Sequence, residues 1–431
     1  MRKMAVFGKI LSFFMMVTIF FSMSSVANAA PKGEPIVIGA ITNLSAPYGA
    51  SLKASMEIAV DDINASGGIL GRPVKLVIED WKRQVPLALA AYRKLVMNDK
   101  CVAVFTEGSE GVPALQEEGA KLFESYPHIQ MAQYASSDDL TLETVGKNYD
   151  KYKFFFRGFS NMYTQYTPAL NMWQVYRDVV KAKKIALIIE DIAYTRTMVN
   201  GKKGLNSYPP YKQFLESKGF EIVLLTQVAA QEKMFLPTFE LVAKSGAQLM
   251  VWAGAYANHQ TVAKQWQESA AKDIDIISFS GASGYKNFID MTNGGGLGWI
   301  AQFPEINIPY TPKSLPFLKK LEAKGVGLMV SSYIGYDGPF VIKAAIEKTK
   351  NPKDVLGIIK FLETTPVQQA FWLWQFDKYH DPVYGYPYFT CVYGQHQGPD
   401  KFVVVFPEQI RKITNPKDKF IPVKKLREMN K

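Results

Sequence analysis

Strand-like and helix-like stretches alternate along this sequence in two separate runs. In the first run, residues 35–40 form an apolar strand-like segment, and the next segment places Leu52, Met56 and Ile63 on one helix face. In the second run, a strand over residues 185–189 is followed by a loop, a helix over 211–217 and a further strand. Because a parallel pair of strands needs a long crossover, usually a helix, this pattern predicts two α/β lobes with parallel sheets.

The loops that follow the strands are the expected functional region, because ligands of open α/β sheets bind beyond the carboxyl ends of the strands. The alternation of elements assigns six such loops. They cover residues 43–49, 107–113, 133–138, 190–195, 254–258 and 280–284.

The last third of the sequence continues this pattern and then changes. A strand is expected over residues 298–303, followed by helices over 337–348 and 354–364. Residues 371–407 are rich in Trp and Tyr and predict short strands that would suit a return to the earlier lobe.

The N-terminal 29 residues have the organisation of a secretory signal peptide. Arg2, Lys3 and Lys9 form a charged start, and Ala27 and Ala29 form a small-x-small cleavage pattern. The intervening apolar run, residues 10–21, falls short of the ~20 residues that span a bilayer, which argues against a membrane anchor. We therefore expect export and cleavage near Ala29, leaving a soluble protein.

The positive charge of the chain is concentrated at its C-terminal end. The net charge is +11, and residues 411–431 hold eight Lys and Arg against Asp418 and Glu428. This predicts a basic C-terminal tail, either solvated or in contact with an acidic partner or anionic lipid. The sequence has no basic groove interleaved with aromatic residues, so nucleic acid is not expected as a partner.

Sequence motifs of common enzyme classes are absent. The chain has no G-x-x-x-x-G-K-[ST] loop, no G-x-G-x-x-G opening a helix and no G-x-S-x-G elbow. Its four histidines lack H-E-x-x-H spacing, so neither a metal site nor a cofactor is expected. Cys101 and Cys391 could form one disulfide in an oxidising compartment or remain free. These observations indicate binding without catalysis.

Two segments carry a resemblance to a known family. Residues 36–49 (IVIGAITNLSAPYG) and 59–71 (AVDDINASGGILG) resemble the opening of periplasmic solute-binding proteins of the branched-chain amino acid (Leu/Ile/Val-binding) type. The likeness extends more weakly to about Pro407. It implies the type I periplasmic binding protein fold, in which two doubly wound parallel-sheet lobes are joined by a three-segment hinge and close on one small molecule.

The resemblance also implies where the chain passes between lobes. We expect crossings near residues 156–160, 300–304 and 369–374. The expected division follows from them. The first lobe is 30–158 and 303–368, the second is 159–302 and 369–410, and the tail is 411–431.

Ligand-binding residues are implied by matching the family pattern position by position. In the first lobe, the first is an aromatic residue that covers the ligand. The others lie in a loop with a hydroxyl side chain before a helix that starts near Pro113 (the hydroxyl loop), and in the next loop, which has a small-x-hydroxyl pattern. Backbone N–H groups at such a helix start attract an anion. In the second lobe and the cleft wall they are mostly aromatic. The full set is Tyr48, Gly108, Ser109, Tyr134, Ser136, Tyr194, Tyr256, Ser283 and Tyr336.

One departure from the family pattern bears on the ligand. Amino-acid binders of this type have an acidic residue in the loop 280–284, and here the counterpart is Ser283. A buried ammonium without a counter-ion costs several kcal/mol, unless Glu107, Glu110, Glu190 or Asp191 substitutes. We therefore expect an aromatic or other organic carboxylate, or an amide, with an amino acid as the alternative if one of these acids substitutes. Glu107 and Glu110 flank the hydroxyl loop and would also work against a carboxylate. The tyrosines suit stacking on such a ligand.

The resemblance implies a periplasmic, monomeric protein that delivers its ligand to an ABC permease of the inner membrane. The same fold also serves ligand sensors of signalling systems, and this is the alternative function. An exported hydrolase is a third reading, but it lacks a nucleophile or metal set that could be assembled from the sequence.

Overall fold

The structure is a computed structural model and describes residues 30–161, 181–193, 195–279, 283–302 and 305–430. The expected signal peptide, residues 1–29, lies outside the described residues. Within the part of the chain that the structure describes, no helix combines the length and apolar character needed to cross a membrane.

The first lobe is built on a five-stranded parallel sheet. Its strands are β1 (Ile36–Thr42), β2 (Val74–Asp80), β3 (Ala103–Glu107), β4 (Ile129–Tyr134) and β5 (Phe155–Arg157). They lie in the order β2-β1-β3-β4-β5. The central strand β3 is buried along its whole length, as expected when helices cover both faces of a parallel sheet.

Helices of the first lobe come from two separate parts of the chain. The earlier part supplies Pro47–Ala65, Val85–Arg93 with a π-helical turn over Lys94–Asn98, Val112–Leu122, Asp139–Leu142 and Tyr149–Tyr152. The later part supplies Ser314–Ala323, Val330–Thr349 and Val355–Thr364. The helix Val330–Thr349 packs along Pro47–Ala65 and joins the two parts into one core.

The second lobe is built on a seven-stranded mixed sheet, and a small hairpin precedes its last two strands. The strands of the sheet are β6 (Lys184–Glu190), β7 (Glu221–Val228), β8 (Leu249–Ala253), β9 (Asp275–Ser278), β10 (Ile300–Gln302), β13 (Tyr393–Gly398) and β14 (Lys401–Phe406). The hairpin of β11 (Val367–Gln368) and β12 (Leu373–Trp374) is a separate two-stranded sheet that packs on the first lobe. The sheet order is β14-β13-β10-β9-β8-β6-β7. The first five strands are parallel, and β13 and β14 are antiparallel additions at one edge.

Helices of the second lobe are shorter. They are Arg196–Asn200, Tyr211–Ser217, Leu236–Lys244, His259–Glu268, Phe288–Met291, Glu408–Thr414 and Val423–Met429. The two-lobed α/β architecture predicted from the sequence is confirmed.

One helix of the first lobe was not predicted from the sequence. Ser314–Ala323 buries Phe317, Leu318 and Leu321, which lie at helical spacing. A single helical turn and a half of apolar residues is a weak signal, and Pro316 in the first turn obscures it further.

The chain passes between the lobes three times, and the third passage lies later than predicted. The first falls between β5 and β6, and the second follows β10. Residues 369–374 were assigned to the second lobe, but they pack on the first. Asp337 accepts hydrogen bonds from the N–H groups of Ala370 (3.0 Å) and Phe371 (3.2 Å). Arg157 of β5 also binds Asp381 at 2.6 Å, so the chain leaves the first lobe only after residue 381.

The C-terminal segment is folded, so the expectation of a solvated tail is wrong for most of it. Val423 and Leu426 are buried, and the N–H of Val423 donates to Asp275 at the start of β9 (2.7 Å). Arg411 forms a two-pronged ion pair with Glu408. Apolar anchors at helical spacing therefore hold this basic segment on the second lobe.

The two cysteines are buried and free rather than paired. Burial raises the pKa of both the Cys101 and the Cys391 thiol to about 12. Of the two alternatives left open by the sequence, the structure shows the unpaired one.

Candidate functional site

A cavity of about 950 Å³ lies between the two lobes. The first lobe contributes the loops that follow β1, β2, β3 and β4, and the second contributes the segments after β8 and β9 and the turn between β13 and β14. Apart from the turn between β13 and β14, these segments lie where the carboxyl ends of the parallel strands of both lobes meet, as the strand pattern predicts. Its volume is at the upper end of the ~300–1,000 Å³ typical of small-molecule sites.

The apolar lining of the cavity is aromatic. Tyr48 and Tyr134 stack with ring centroids 5.5 Å apart and an interplanar angle of 24°. Phe159 packs obliquely on Tyr134 at 5.2 Å. The aromatic residues of the lining are Tyr48, Trp81, Tyr134, Phe159, Tyr256, Phe279 and Tyr285. Such a lining offers flat faces suited to stacking on a planar group.

The position of Tyr48 depends on a close backbone approach beside it. Tyr48 lies in the first turn of helix Pro47–Ala65, and the preceding loop folds back over that turn. A Cβ on Gly49 would come within 2.0 Å of the carbonyl oxygen of Asn43. Glycine at this position therefore allows the loop to close and sets the direction of the Tyr48 ring.

A buried carboxylate, Glu107 at the end of β3, joins three loops of the first lobe. Its Oε1 accepts hydrogen bonds from the N–H of Asn43 (2.8 Å) and from Nε1 of Trp81 (2.9 Å). Its Oε2 accepts one from the hydroxyl of Thr42 (2.7 Å). Burial raises the pKa of Glu107, and these three donors oppose that shift. The side chain is 3% exposed and lines the cavity.

The ring of Trp81 packs against the loop after β3, which carries Ser109. A Cβ on Gly108 would lie 3.1 Å from Trp81, and a Cβ on Gly111 would lie 3.0 Å from it. Gly108 also has a φ of +84°, in the left-handed region. After Trp81, both Lys82 (φ 48°) and Arg83 (φ 57°) adopt left-handed backbone conformations without being glycine. Strain of this kind tends to occur at binding sites.

The two serines predicted in the first lobe belong to adjoining loops. The hydroxyl oxygen of Ser109 accepts hydrogen bonds from the N–H groups of Ser136 (3.1 Å) and Ser137 (3.3 Å). The loop after β3 is thus fixed to the loop after β4, directly before helix Val112–Leu122. The Ser109 hydroxyl keeps its own proton for donation into the cavity.

A contact across the cleft closes one edge of the cavity. The hydroxyl of Tyr256, in the second lobe, donates to Glu110 in the first. Arg83 lies over the Tyr256 ring, 4.4 Å from its centroid, and 3.9 Å from the Glu110 carboxylate. We call these three side chains the cleft contact.

In the second lobe, the loop that carries Tyr256 is held by Glu190 at the end of β6. One carboxylate oxygen of Glu190 accepts from the N–H groups of Ala255 (2.7 Å) and Tyr256 (2.9 Å), and the other accepts from Gln231 (2.9 Å). Glu190 is fully buried and is not among the residues that line the cavity. It shapes the wall without facing a ligand.

The charges around the cavity are unbalanced. Within the described lining, five residues carry carboxylates and two carry cationic groups. The carboxylates are Glu107, Glu110, Asp290, Glu305 and Asp400, and the cations are Arg83 and Lys286. His259 also lines the cavity, but burial lowers its pKa to about 4, so it is neutral at pH 7. The cavity is therefore electronegative.

Six of the nine residues proposed from the sequence line this cavity. They are Tyr48, Gly108, Ser109, Tyr134, Ser136 and Tyr256. Tyr194 lies outside the described residues. Ser283 and Tyr336 are not part of the described lining.

Packing explains both exceptions. The Tyr336 hydroxyl donates to Asp62 (2.9 Å), and its ring lies 4.2 Å from that of Phe317, between helices of the first lobe. Ser283 is buried, and its backbone carbonyl accepts a hydrogen bond from Nε2 of His396 (2.9 Å). Tyr336 therefore belongs to the first-lobe core rather than to the cleft wall.

The residues that sequence reasoning missed include Trp81 and Arg83, in the loop after β2. The rule that ligands bind beyond strand ends applies to this loop as it does to the others. The sequence signal was therefore present, in a strand followed by W-K-R-Q, but the loop was left out.

With this geometry in place, comparison with known proteins identifies the family. A family model described as periplasmic binding protein matches residues 35–391, so the chain belongs to the periplasmic binding protein family. This is a family of binding proteins and not of enzymes.

Individual relatives are distant in sequence and close in fold. The chain is 23% identical over 367 residues to Leu/Ile/Val-binding protein homolog 3 of Brucella melitensis, covering 81% of this chain and 90% of the relative. A putative branched-chain amino acid ABC transporter structure from Silicibacter pomeroyi has a TM-score of 0.74 at 17% identity, covering 90% of this chain and 99% of the other. The branched-chain amino acid transporter substrate-binding protein of Streptococcus pneumoniae, solved with isoleucine, has a TM-score of 0.67 at 19% identity, with 87% and 100% coverage.

Proposed function

We propose that this protein is the periplasmic solute-binding subunit of an ABC importer and that it captures a planar organic ligand, an aromatic carboxylate or an amide. The observation that carries the proposal is the cavity between the lobes, walled by seven aromatic side chains. The ABC transporter role is supported by the name of the Silicibacter pomeroyi structure, and the solute-binding role by the name of the Brucella melitensis relative.

The size and lining of the cavity favour a planar ligand over a branched-chain amino acid. An aliphatic side chain needs only a small apolar pocket, whereas about 950 Å³ leaves room for a ring and its substituents. The stacked faces of Tyr48 and Tyr134 gain most from a ring placed parallel or edge-on to them. This distinguishes the proposed ligand from the isoleucine bound by the Streptococcus pneumoniae protein.

Three of the four acids that could serve as the counter-ion of an ammonium group are already engaged. Glu190 accepts three backbone hydrogen bonds and does not line the cavity. Glu110 belongs to the cleft contact, and Asp191 pairs with Arg196 at 2.9 Å. Of the other acids in the described lining, Asp290 and Asp400 are exposed at the rim. These engagements weigh against an α-amino acid as the ligand.

Capture would proceed by hinge closure around the ligand. The cleft contact already joins the two lobes at one edge through Tyr256 and Glu110. Glu305, in the second passage, accepts hydrogen bonds from the N–H groups of Lys286 and Leu328, both 2.9 Å, and so couples the two sides of the hinge. Closure would expel water and strengthen each polar contact to the ligand.

The proposal extends to the location of the protein and its delivery step. The signal-peptide pattern of residues 1–29 supports export. The closed, loaded form would be recognised by a permease through the outer faces of both lobes. A monomer suffices for this role, since the cavity is built by one chain.

A thermal-shift screen tests the proposal. The protein, purified after export with its own leader, is screened against aromatic amides, aromatic carboxylates, ureas, dicarboxylates and the twenty amino acids. A ligand at a hundredfold excess over Kd stabilises the folded state by about 2.7 kcal/mol, which raises Tm by several degrees. We expect shifts with planar amides or aromatic carboxylates. A shift with leucine, isoleucine or valine alone would contradict the proposed ligand class.

A further inference from the structure

We propose that Glu107 determines the charge of the ligand, so that the cavity accepts an amide or a cationic group and rejects a carboxylate. This inference rests on the proposed function, because it presumes that the cavity is the ligand site. It decides between the two ligand chemistries that the sequence left open.

The first support is the position of Glu107. Its carboxylate lies at the end of the central strand β3, where the loops carrying Tyr48, Trp81 and Ser109 meet. A ligand ring stacked on Tyr48 would therefore place its substituent close to this carboxylate. Oε2 accepts one hydrogen bond in the described structure and retains the capacity for a second, from a ligand N–H.

The second support is that Glu107 is held in place. Three donors from two loops fix both of its oxygens, and the side chain is 3% exposed. It cannot rotate out to solvent without breaking the contacts that position Asn43 and Trp81. A ligand carboxylate would thus face a fixed negative charge in a poorly solvated site, where like charges repel strongly.

The third support is the charge of the surrounding residues. Of the two cations in the described lining, Arg83 is the one closer to Glu107 in sequence. Its guanidinium contacts both the Glu110 carboxylate and the ring of Tyr256. Lys286 is exposed on the opposite lobe. With Asp290, Glu305 and Asp400 also present, the two cations do not balance the carboxylates.

The N-terminus of helix Val112–Leu122 is the feature that would favour an anion. Its positive end attracts negative charge, and Ser109 and Gly111 lie directly before it. Glu107 and Glu110, on the same loop, already supply that negative charge. The helix start therefore stabilises the protein's own carboxylates and leaves less attraction for a ligand anion.

The chain permits a test that separates charge from shape. In Glu107→Gln, the amide oxygen can accept from Asn43 and Trp81, and the amide nitrogen can donate to the Thr42 hydroxyl, which is able to reverse its role. The loops should then keep their positions while the charge is lost. Glu124→Gln is the matched control, because it makes the same change at an exposed glutamate of the first lobe that does not line the cavity.

The measurement is the Kd of three probes with the same ring, benzamide, benzamidine and benzoate, for wild type and both variants by isothermal titration. We expect wild type to bind benzamide or benzamidine at least tenfold more tightly than benzoate. Glu107→Gln should reduce this ratio at least tenfold, and Glu124→Gln should change it less than threefold.

The outcomes separate this inference from the proposed function. If wild type binds the probes but Glu107→Gln leaves the ratio unchanged, the inference is overturned and the proposed function stands. If Glu124→Gln shifts the ratio as much as Glu107→Gln, the discrimination comes from net charge, and the role of Glu107 is overturned. If none of the three probes binds wild type or either variant, the proposed planar ligand class fails as well.

Discussion

The two lobes use the same device at the edge of the cavity, a buried glutamate at the end of a parallel strand. Glu107 in the first lobe and Glu190 in the second each accept three hydrogen bonds and fix the loops beside them. They differ in two respects. Glu107 lines the cavity, whereas Glu190 is hidden behind the Tyr256 loop.

The donors differ as well. Glu190 receives only backbone N–H groups, which can never accept a hydrogen bond, whereas one donor to Glu107 is the hydroxyl of Thr42. Glu190 therefore requires a carboxylate, whereas Glu107 tolerates an amide in its place. A charge that structure does not require, at a position facing the ligand, indicates a role in recognition.

The largest expected effect is a loss of stability when the glutamate of the second lobe is replaced. In Glu190→Gln, the amide NH2 must face a backbone N–H in either orientation, so at least one part-buried donor loses its partner. We expect the free energy of unfolding to fall by about 3 kcal/mol, against about 1 kcal/mol or less for Glu107→Gln. Urea denaturation of both variants measures this. Equal losses would contradict the contrast between the two glutamates.

One buried histidine in each lobe should lower the stability of the folded protein in acid, and to a similar extent. Burial lowers the pKa of His128 in the first lobe and of His259 in the second to about 4, from 6.5 in the unfolded chain. Below pH 6.5 the unfolded chain binds protons that the folded protein does not, so stability falls as pH drops towards 4. Each histidine should contribute about 3 kcal/mol to that loss.

Paired variants isolate this effect from other titrating groups. Between pH 7 and 4.5, the stability difference between wild type and His259→Gln should narrow by about 2–3 kcal/mol, because the variant lacks the linkage. His128→Gln should behave in the same way. A difference that stays constant with pH for either variant would show that the histidine is not held neutral.

Ligand binding should depend more on the first-lobe wall than on the second. Tyr48 is half-buried and contributes its ring face, so Tyr48→Ala should weaken binding by about 2 kcal/mol, roughly thirtyfold, for a planar ligand. Tyr48→Phe keeps the ring and serves as the control. Isothermal titration with the tightest compound from the thermal-shift screen measures both. An unchanged affinity in Tyr48→Ala would contradict stacking of the ligand on this ring.

The smallest expected effect concerns the cleft contact. Tyr256→Phe loses the hydrogen bond to Glu110 but keeps the ring beneath Arg83, so ligand affinity should fall by about 1 kcal/mol. Tyr256→Ala removes both interactions and should cost more. Stopped-flow dissociation rates check this, since loosened closure should appear mainly as faster release. Wild-type release rates in Tyr256→Ala would exclude the cleft contact from capture.

Much of the fold could be predicted from the sequence because hydrophobic period and turn residues are local signals. The helix Tyr211–Ser217 and the two-lobed arrangement follow from them directly. The helix Ser314–Ala323 did not. Tyr336 was assigned to the cleft wall from the family resemblance, which does not show this helix. That tyrosine packs on Phe317, which belongs to the unpredicted helix.

The site was predictable to the extent that loops after strands determine it. Tyr48, Ser109 and Tyr134 lie in such loops or at their ends, and all three line the cavity. The sequence indicates Glu107 as an acid that could act on the ligand's charge, but not how it is held, because its partners Asn43 and Trp81 lie 64 and 26 residues away along the chain. A sequence shows an acid near a helix start, but only the fold shows that its hydrogen bonds hold it facing a ligand.

The most direct test of the account is a crystal structure of the protein with the tightest compound from the thermal-shift screen. We predict that the compound lies between the lobes, with its planar group against Tyr48 or Tyr134 and an N–H group directed at Glu107. A ligand bound outside this cavity, or one whose carboxylate is directed at Glu107, would contradict the account.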